Sequence, residues 1–340
     1  MLHYIQRPTL AMLLLMAVLC GAGVTLGKLL PAQEIVFLST RDENRELYLY
    51  DIPRGITARL THGVSLIAEF PAWSPDGSRL AFRWLLGGTS EIFVLDMGSS
   101  QIYRVTYDET FDYEPAWSPD GTRLAFTSYQ QASAKICITE AAPDTSAHCL
   151  LDTPTSDSTP VWSPDGTQIA FWSFDGTNYA INRTNVGLAD TRWLTGDPWG
   201  SFQPVWSPDG TQIAFQTDRN VNREIYVMNA DGGDLYNLTR HPSGDYSPVW
   251  SPDGTQIAFQ SDRAGNFDVY VMNADGSNLR RLTDDPSADN FPAWSPDGQH
   301  LVFVSVRDGN AELYMVDQDG RNLRRLTQNP AFDGFAAWRP

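Results

Sequence analysis

Apolar residues recur along this chain in short runs at one fixed spacing, and each run is too brief for a helix. Trp-Ser-Pro-Asp-Gly occurs six times, with Trp at 73, 117, 162, 206, 250 and 294, and Trp338 continues the series. The intervals are 44, 45, 44, 44, 44 and 44 residues. An extended segment such as Pro248-Val249-Trp250 ends at each Trp. Seven residues past the Trp stands an apolar triplet: Leu80-Ala81-Phe82, Leu124-Ala125-Phe126, Ile169-Ala170-Phe171, and so on to Leu301-Val302-Phe303. Nineteen past it comes an alternating run such as Ile225-Tyr226-Val227-Met228 or Val269-Tyr270-Val271-Met272. About thirty-two past it comes a last short run, Leu282-Thr283 or Leu326-Thr327. Short β-rich runs between regular turn signals predict a sandwich, barrel or propeller. Four strands in about 40–45 residues is the propeller value.

The turns have their own chemistry. Ser-Pro-Asp-Gly places Ser at i, Pro at i+1 and Gly at i+3 of a type I turn, the position each favours. Asn-Ala-Asp-Gly at 229–232 and 273–276, with Asp317-Gln318-Asp319-Gly320, predicts a second tight hairpin. The remaining ligands and terminal Glu of a calcium loop are missing from these segments.

The chain ends decide the number of blades. Running the register back from Trp73 puts a first Trp near position 28, where there is none, yet that copy keeps Ile35-Val36-Phe37, Leu47-Tyr48-Leu49-Tyr50 and Leu60-Thr61. At the other end Phe335-Ala336-Ala337-Trp338 supplies only an innermost strand. The two fragments complement each other. The expected fold is all-β, a seven-bladed β-propeller of four antiparallel strands per blade. Its first blade pairs the C-terminal strand with the N-terminal three, which leaves no sheet edge exposed.

These motifs resemble the TolB-type, WD-like propeller repeat of exported bacterial proteins, over about residues 34–340. The resemblance implies the fold and the repeat family. TolB itself pairs a six-bladed propeller with a preceding α/β domain and works in an envelope complex. Here the copies number seven and no α/β domain precedes them, so TolB's own role does not carry over residue by residue.

Composition adds two limits. A hydrophobic content of 42% supports a packed core, and a formal charge of −17 argues against a nucleic acid partner. Between Arg7 and Lys28 the chain is uncharged; Leu10 to Leu19 reads as the apolar core of an export signal and Cys20-Gly21-Ala22-Gly23 as its cleavage region. Counted to Gly27, the stretch approaches the roughly 20 residues that span a bilayer. Residues 1–30 are therefore read as a cleaved signal peptide or a retained single-pass membrane anchor. Either places residues 31–340 outside the cytoplasm: periplasmic, at the cell surface or secreted.

Candidate chemistry follows from the register. The longer second-to-third and blade-to-blade loops share one face, and loops on a rigid frame are where binding usually resides. Five residues before the Trp stand Asp112, Asp157, Asp245, Asp289 and Asp333, an acidic set at one channel mouth joined by Glu114. It reads either as a site for a cation or basic ligand, or as turn caps and partners of the matching Arg41, Arg219, Arg263 and Arg307. Blades 2 to 4 break the Arg pattern, and aromatic and apolar residues gather there and at the start of blade 5: Trp84, Leu85, Leu86, Tyr129, Trp172, Phe174, Tyr179, Trp199 and Phe202. Clustered exposed rings mark interaction sites. Cys137 and Cys149 fall in the third and fourth strands of blade 3, close enough for a disulfide in an oxidising compartment; the alternative is two separate small hydrophobes.

No Gly-x-Ser-x-Gly, His-Glu-x-x-His, Cys-x-x-Cys or phosphate loop is present, and no two of the five His have metal-ligand spacing. No metal or cofactor is expected. The leading expectation is a monomeric, non-enzymatic scaffold that engages a protein or peptide through its loop-rich face. The alternative is a carbohydrate-active enzyme, a glycoside hydrolase or lyase, using Asp112, Glu114 and Asp157 as acid and base.

Overall fold

The computed structural model describes residues 33–340, apart from 63–66, 108–109, 131–132, 151–153 and positions 189, 197 and 220. The expected export signal or anchor, residues 1–30, lies outside the described residues. All elements among the described residues are strands, and none of those residues forms a helix long and apolar enough to cross a membrane.

The strands form four-stranded antiparallel units of the propeller type, all but the first a meander ordered as in the sequence. Unit 6 is representative: Asp245–Trp250, Gln256–Ser261, Asp268–Asn273 and Arg280–Arg281. Units 2, 3, 4, 5 and 7 are built likewise around Trp73, Trp117, Trp162, Trp206 and Trp294. Units 2 and 3 also touch edge to edge through the single parallel pair Ser90 and Phe111. Unit 1 is assembled from both chain ends. Its order is Asp333–Trp338, Glu34–Ser39, Glu46–Asp51 and Ile56–Arg59, with Ile35 opposite Trp338 and Ser39 opposite Asp333.

The large-small-large triplet explains how units stack. In Ile257-Ala258-Phe259 the outer two side chains face unit 5, packing with Ile225, Val227 and Leu238. The small Ala258 faces the other way, where Leu301 and Phe303 of unit 7 fill the space it leaves. The triplet phenylalanines Phe37, Phe82, Phe126, Phe171, Phe215, Phe259 and Phe303 are all fully buried. Burying each contributes about 1.5–3 kcal/mol.

A second set of links runs between innermost strands. Each indole Nε1–H donates to the carbonyl just before the Trp of the preceding unit. Trp117 reaches Ala72 at 2.9 Å, Trp162 Ala116 at 3.0 Å, Trp206 Val161 at 3.2 Å, and Trp250 Val205 at 3.3 Å. Trp294 reaches Val249 at 3.3 Å and Trp338 Ala293 at 3.1 Å. Trp73, first in sequence, donates to Ala337 at 3.2 Å, beside the last. A cation covers several of these rings: Arg79 stacks on Trp117, Arg123 on Trp162, and Arg339 on Trp73. Arg339 also donates to the carbonyl of Gly77 at 2.7 Å and pairs with Glu34, so the described ends of the body meet at one unit's turn.

The Ser-Pro-Asp-Gly turns are closed as their residues require. Gly121 N–H bonds to Ser118 O at 2.8 Å with Gly121 at φ 68°, a conformation glycine adopts freely. Asp120 Oδ1 accepts from Ser118 Oγ at 2.5 Å, Thr122 N at 3.0 Å and Thr122 Oγ1 at 2.9 Å. These donors hold the Asp120 carboxyl down at about 2, and the Ser74 and Ser78 donors do the same for Asp76. A carboxyl lowered in the folded state contributes stability above its unfolded pKa of about 4, and loses it as pH falls through the folded value.

Two outcomes are expected. Urea stability should hold from neutrality to about pH 4 and decline toward pH 2, with a shallower decline in an Asp76→Asn, Asp120→Asn variant; parallel pH profiles would rule the turns out as the source. Deleting residues 333–340 removes an inner strand, two indole bonds and the Arg339 contacts. The shortened chain should lose its cooperative thermal transition, and a melt matching the full chain would refute the role of that strand.

Candidate functional site at the loop face

In unit 6 Asp245 begins the innermost strand, lies opposite Ser261 at the end of the second, which in turn lies opposite Asp268 at the head of the third. The longer loops therefore gather at this end of each unit, and the Ser-Pro-Asp-Gly turns at the other.

The acidic set stands at the loop end and is fully buried: Asp112, Asp157, Asp245, Asp289 and Asp333 have no exposed surface. Three of the five pair with arginines of the expected set. Arg263 Nη2 meets both oxygens of Asp245 at 2.8 and 2.9 Å, Arg307 meets those of Asp289 at 2.9 and 2.8 Å, and Arg41 meets Asp333 at 2.7 Å. Each Arg Nε donates to the serine two residues earlier: Ser261, Ser305 or Ser39. The guanidinium planes lie over Tyr270, Tyr314 and Tyr48 at 5.0, 4.7 and 4.6 Å. Burial pushes the Asp245 and Asp333 carboxyls up, and their Ser and Arg partners offset only part of that. Desolvation disfavours the ionised form of these two, and the serine and arginine partners limit that cost. In units 3 and 4, Thr110 donates to Asp112 at 3.0 Å and Thr155 to Asp157 at 2.8 Å. Arg219 of unit 5, where Ser201 replaces the Asp, stacks on Tyr226 at 4.8 Å.

Each innermost strand is interrupted by a bulge three residues before its Trp. Phe70, Glu114, Thr159, Gln203, Ser247, Phe291 and Phe335 all have φ between 50° and 58°, a left-handed conformation that is rare for side chains of this size. The pairing register shifts at each of these points. The bulge turns these side chains out of the packed layers. Glu114 Oε2 accepts from Thr127, Ser158 and Thr159 N at 3.0, 3.2 and 3.0 Å, while Phe291 and Phe335 stand 48% exposed and Phe70 40%.

These phenylalanines form the apolar arc of the site. Phe335 packs against Phe291 at 5.7 Å and against Phe332 at 6.0 Å between ring centres. Beside them a cavity of about 470 Å³ opens between units 1 and 2, lined by Leu38, Thr40, Arg45, Glu69, Phe70, Phe332 and Phe335. Glu69 there pairs with both Arg45 and Arg83. The volume lies in the range of ordinary ligand pockets, about 300–1,000 Å³. The sequence reading did not single out Phe70, Phe291, Phe332 or Phe335; their common signal is a ring at the third position before Trp, with Phe332 just ahead of Asp333.

The aromatic residues singled out from sequence divide into separate groups. Trp172, Phe174, Tyr179 and Phe202 form one cluster, with Phe174 stacked on Tyr179 at 4.5 Å and Tyr179 against Phe202 at 4.8 Å. Arg223 covers Phe202 at 4.7 Å and is itself held by Asp218 at 2.8 Å. Trp84 lies apart, packed edge-on against Phe93 at 5.1 Å, and Leu85 follows it in the same half-buried strand end. Leu86 ends that strand. Tyr129 and Trp199 are exposed at the loop end of units 3 and 5. Cys137 lies directly opposite Cys149, and the two are joined by a disulfide. Among the described residues no group of three or more His, Cys, Asp or Glu could hold a metal ion.

The buried pairs give a direct test of a structural role. Replacing Arg307 by Met strands the Asp289 carboxylate and should cost about 3–5 kcal/mol of unfolding free energy, while adding Asp289→Leu should recover much of it. A cost below about 1 kcal/mol in urea titrations of the single variant would mean the pair does not hold the loop end.

Solved structures and family models extend the geometry. A TolB-type protein of Agrobacterium tumefaciens is similar over 70% of this chain and 87% of its own, at 27% identity and a TM-score of 0.56. TolB of Acinetobacter baumannii matches over 87% of this chain and 79% of its own, at 21% identity and TM-score 0.57. Oligogalacturonate lyase of Vibrio parahaemolyticus matches over 84% and 86%, at 16% identity and TM-score 0.70, a likeness of fold alone. No curated protein matches the chain. The TolB β-propeller domain model matches residues 31–197 and 144–290, most of the repeat region, and the chain belongs to that family.

Proposed function

We propose that the chain closes as a seven-bladed propeller, is carried outside the cytoplasm, and serves as a non-catalytic scaffold that engages a protein or peptide through its loop face. The complementary split of unit 1 and the indole bond from Trp73 to Ala337 support closure. One observation carries the binding reading. Among the described residues the exposed rings are Phe70, Tyr107, Phe111, Tyr129, Trp193, Trp199, Phe291, Phe332 and Phe335, and all but Trp193 lie toward the loop end. The exposed apolar residues of the turn end are aliphatic: Ile56, Leu188, Leu235, Leu279 and Leu323. Rings concentrated on one face of a rigid frame are the composition of a protein-contact surface.

The burial of Asp112 and Asp157 weighs in the same direction. Neither carboxylate has exposed surface to offer a sugar, and Glu114 is held by three donors of its own. An acid and base pair for glycoside cleavage needs both groups at the substrate.

The test places a photo-crosslinking residue at 335 or 199, and for comparison at 279 or 323, in the exporting cell. Discrete protein adducts are expected from the loop-face positions. Adducts only from the turn-face positions would overturn the choice of face, and none from any of the four would overturn the scaffold reading.

A further inference from the structure

Units 1, 2, 6 and 7 share one recurring structure. Units 4 and 5 keep its threonine bond, Ile181 N–H to Thr195 and Ile225 N–H to Thr239, without the arginine, and the third unit departs from it furthest. In unit 6 the buried carboxylate of Asp268, heading the third strand, takes Arg281 Nη2 from the outer strand at 2.8 Å, and Val269 N–H bonds to Thr283 Oγ1 at 3.0 Å. Units 1, 2 and 7 repeat this latch with Glu46, Arg59 and Thr61; Glu91, Arg104 and Thr106; and Glu312, Arg325 and Thr327. In each the arginine stands directly across from a ring: Tyr48, Phe93, Tyr270 or Tyr314.

Unit 3 keeps none of these residues. Lys135 occupies the carboxylate position and sends its Nζ to Thr155 O at 2.8 Å. Cys137 takes the place of the ring and Cys149 that of the arginine, while the sequence has Leu151 where the threonine falls. The outer strand is only His148–Cys149.

We infer that the Cys137–Cys149 disulfide is a redox-sensitive substitute for the Arg–carboxylate–Thr latch, so that thiol oxidation sets whether the third unit holds its outer strand. Cys149 is the half-buried sulfur and Cys137 the buried one, so a reductant meets Cys149 first. A dithiol thiolate forms a mixed disulfide with Cys149 and expels Cys137 as a thiolate, which takes up a proton. The second thiolate of the reductant then releases Cys149, which is protonated in turn, and the reductant leaves as a cyclic disulfide. Gln130 Nε2 lies 3.1 Å from Cys149 Sγ, which ties the latch to the strand end that carries exposed Tyr129.

Hydrogen exchange of the Leu150 amide, bonded to Ile136 O at 2.9 Å, reads the latch directly, with Leu282 of unit 6, bonded to Val269 O at 2.8 Å, as the internal reference. Dithiothreitol should lower Leu150 protection by about tenfold to a thousandfold and leave Leu282 unchanged. Cys137→Ser with Cys149→Ser should show the reduced pattern with or without reductant. Combining Lys135→Glu, Cys137→Tyr, Cys149→Arg and Leu151→Thr should restore protection and abolish the response. Unchanged Leu150 exchange on reduction, or equal loss at Leu150 and Leu282, would overturn the inference. Should the fourfold variant fail to fold, the serine pair decides it by the same two readouts.

Discussion

An indole N–H taken out of water without an acceptor costs roughly 1–3 kcal/mol, and no repeat of this chain supplies one from within itself. Each Trp finds its carbonyl one unit back, at the residue where the preceding innermost strand resumes its pairing after the bulge. Two residues earlier the bulge turns a side chain out of the packed layers. Stability in repeat proteins comes from neighbour interfaces as much as from the repeats themselves. Here that dependence reaches down to individual hydrogen bonds, and the Trp73 to Ala337 bond extends it to the two ends of the chain.

Much of this was legible in the sequence. The Trp step gave the strand slots, and counting them paired Glu34–Ser39 with Asp333–Trp338. The arginine set pointed to Asp245, Asp289 and Asp333 because partner and carboxylate recur at matching offsets in the same copies. The phenylalanine arc was not legible, for a geometric reason. Strict alternation from buried Asp333 puts Phe335 on the buried side. A bulge at φ 53° reverses that parity, and nothing local in Phe335-Ala336-Ala337 announces the reversal. Trp84 and Trp172 were read among exposed contact residues of the irregular blades; they belong to strands and pack sideways against neighbouring rings.

Two kinds of polar chemistry share the loop end, and their division of labour is consistent. Buried carboxylates are held by arginine or threonine, which fixes the loop geometry. What remains accessible includes the exposed rings, set among surface charges such as Asp42, Arg45 and Asp308. The units that lack the full charge pattern, 3 to 5, replace it with other devices: a disulfide in one, and a stack of rings ending in Arg223 across the other two. A frame that holds its shape without those arginines is free to vary its surface there.

The bulge position accepts Phe, Glu, Thr, Gln and Ser in nearly one backbone conformation. Its φ is set by the strand and the following residue, and the side chain is free to differ. What each innermost strand turns out of the packed layers is therefore written in a single letter per repeat, open to change without disturbing the hydrophobic layers behind it. Duplication supplies the frame, and a point substitution per copy is enough to rewrite what the frame presents.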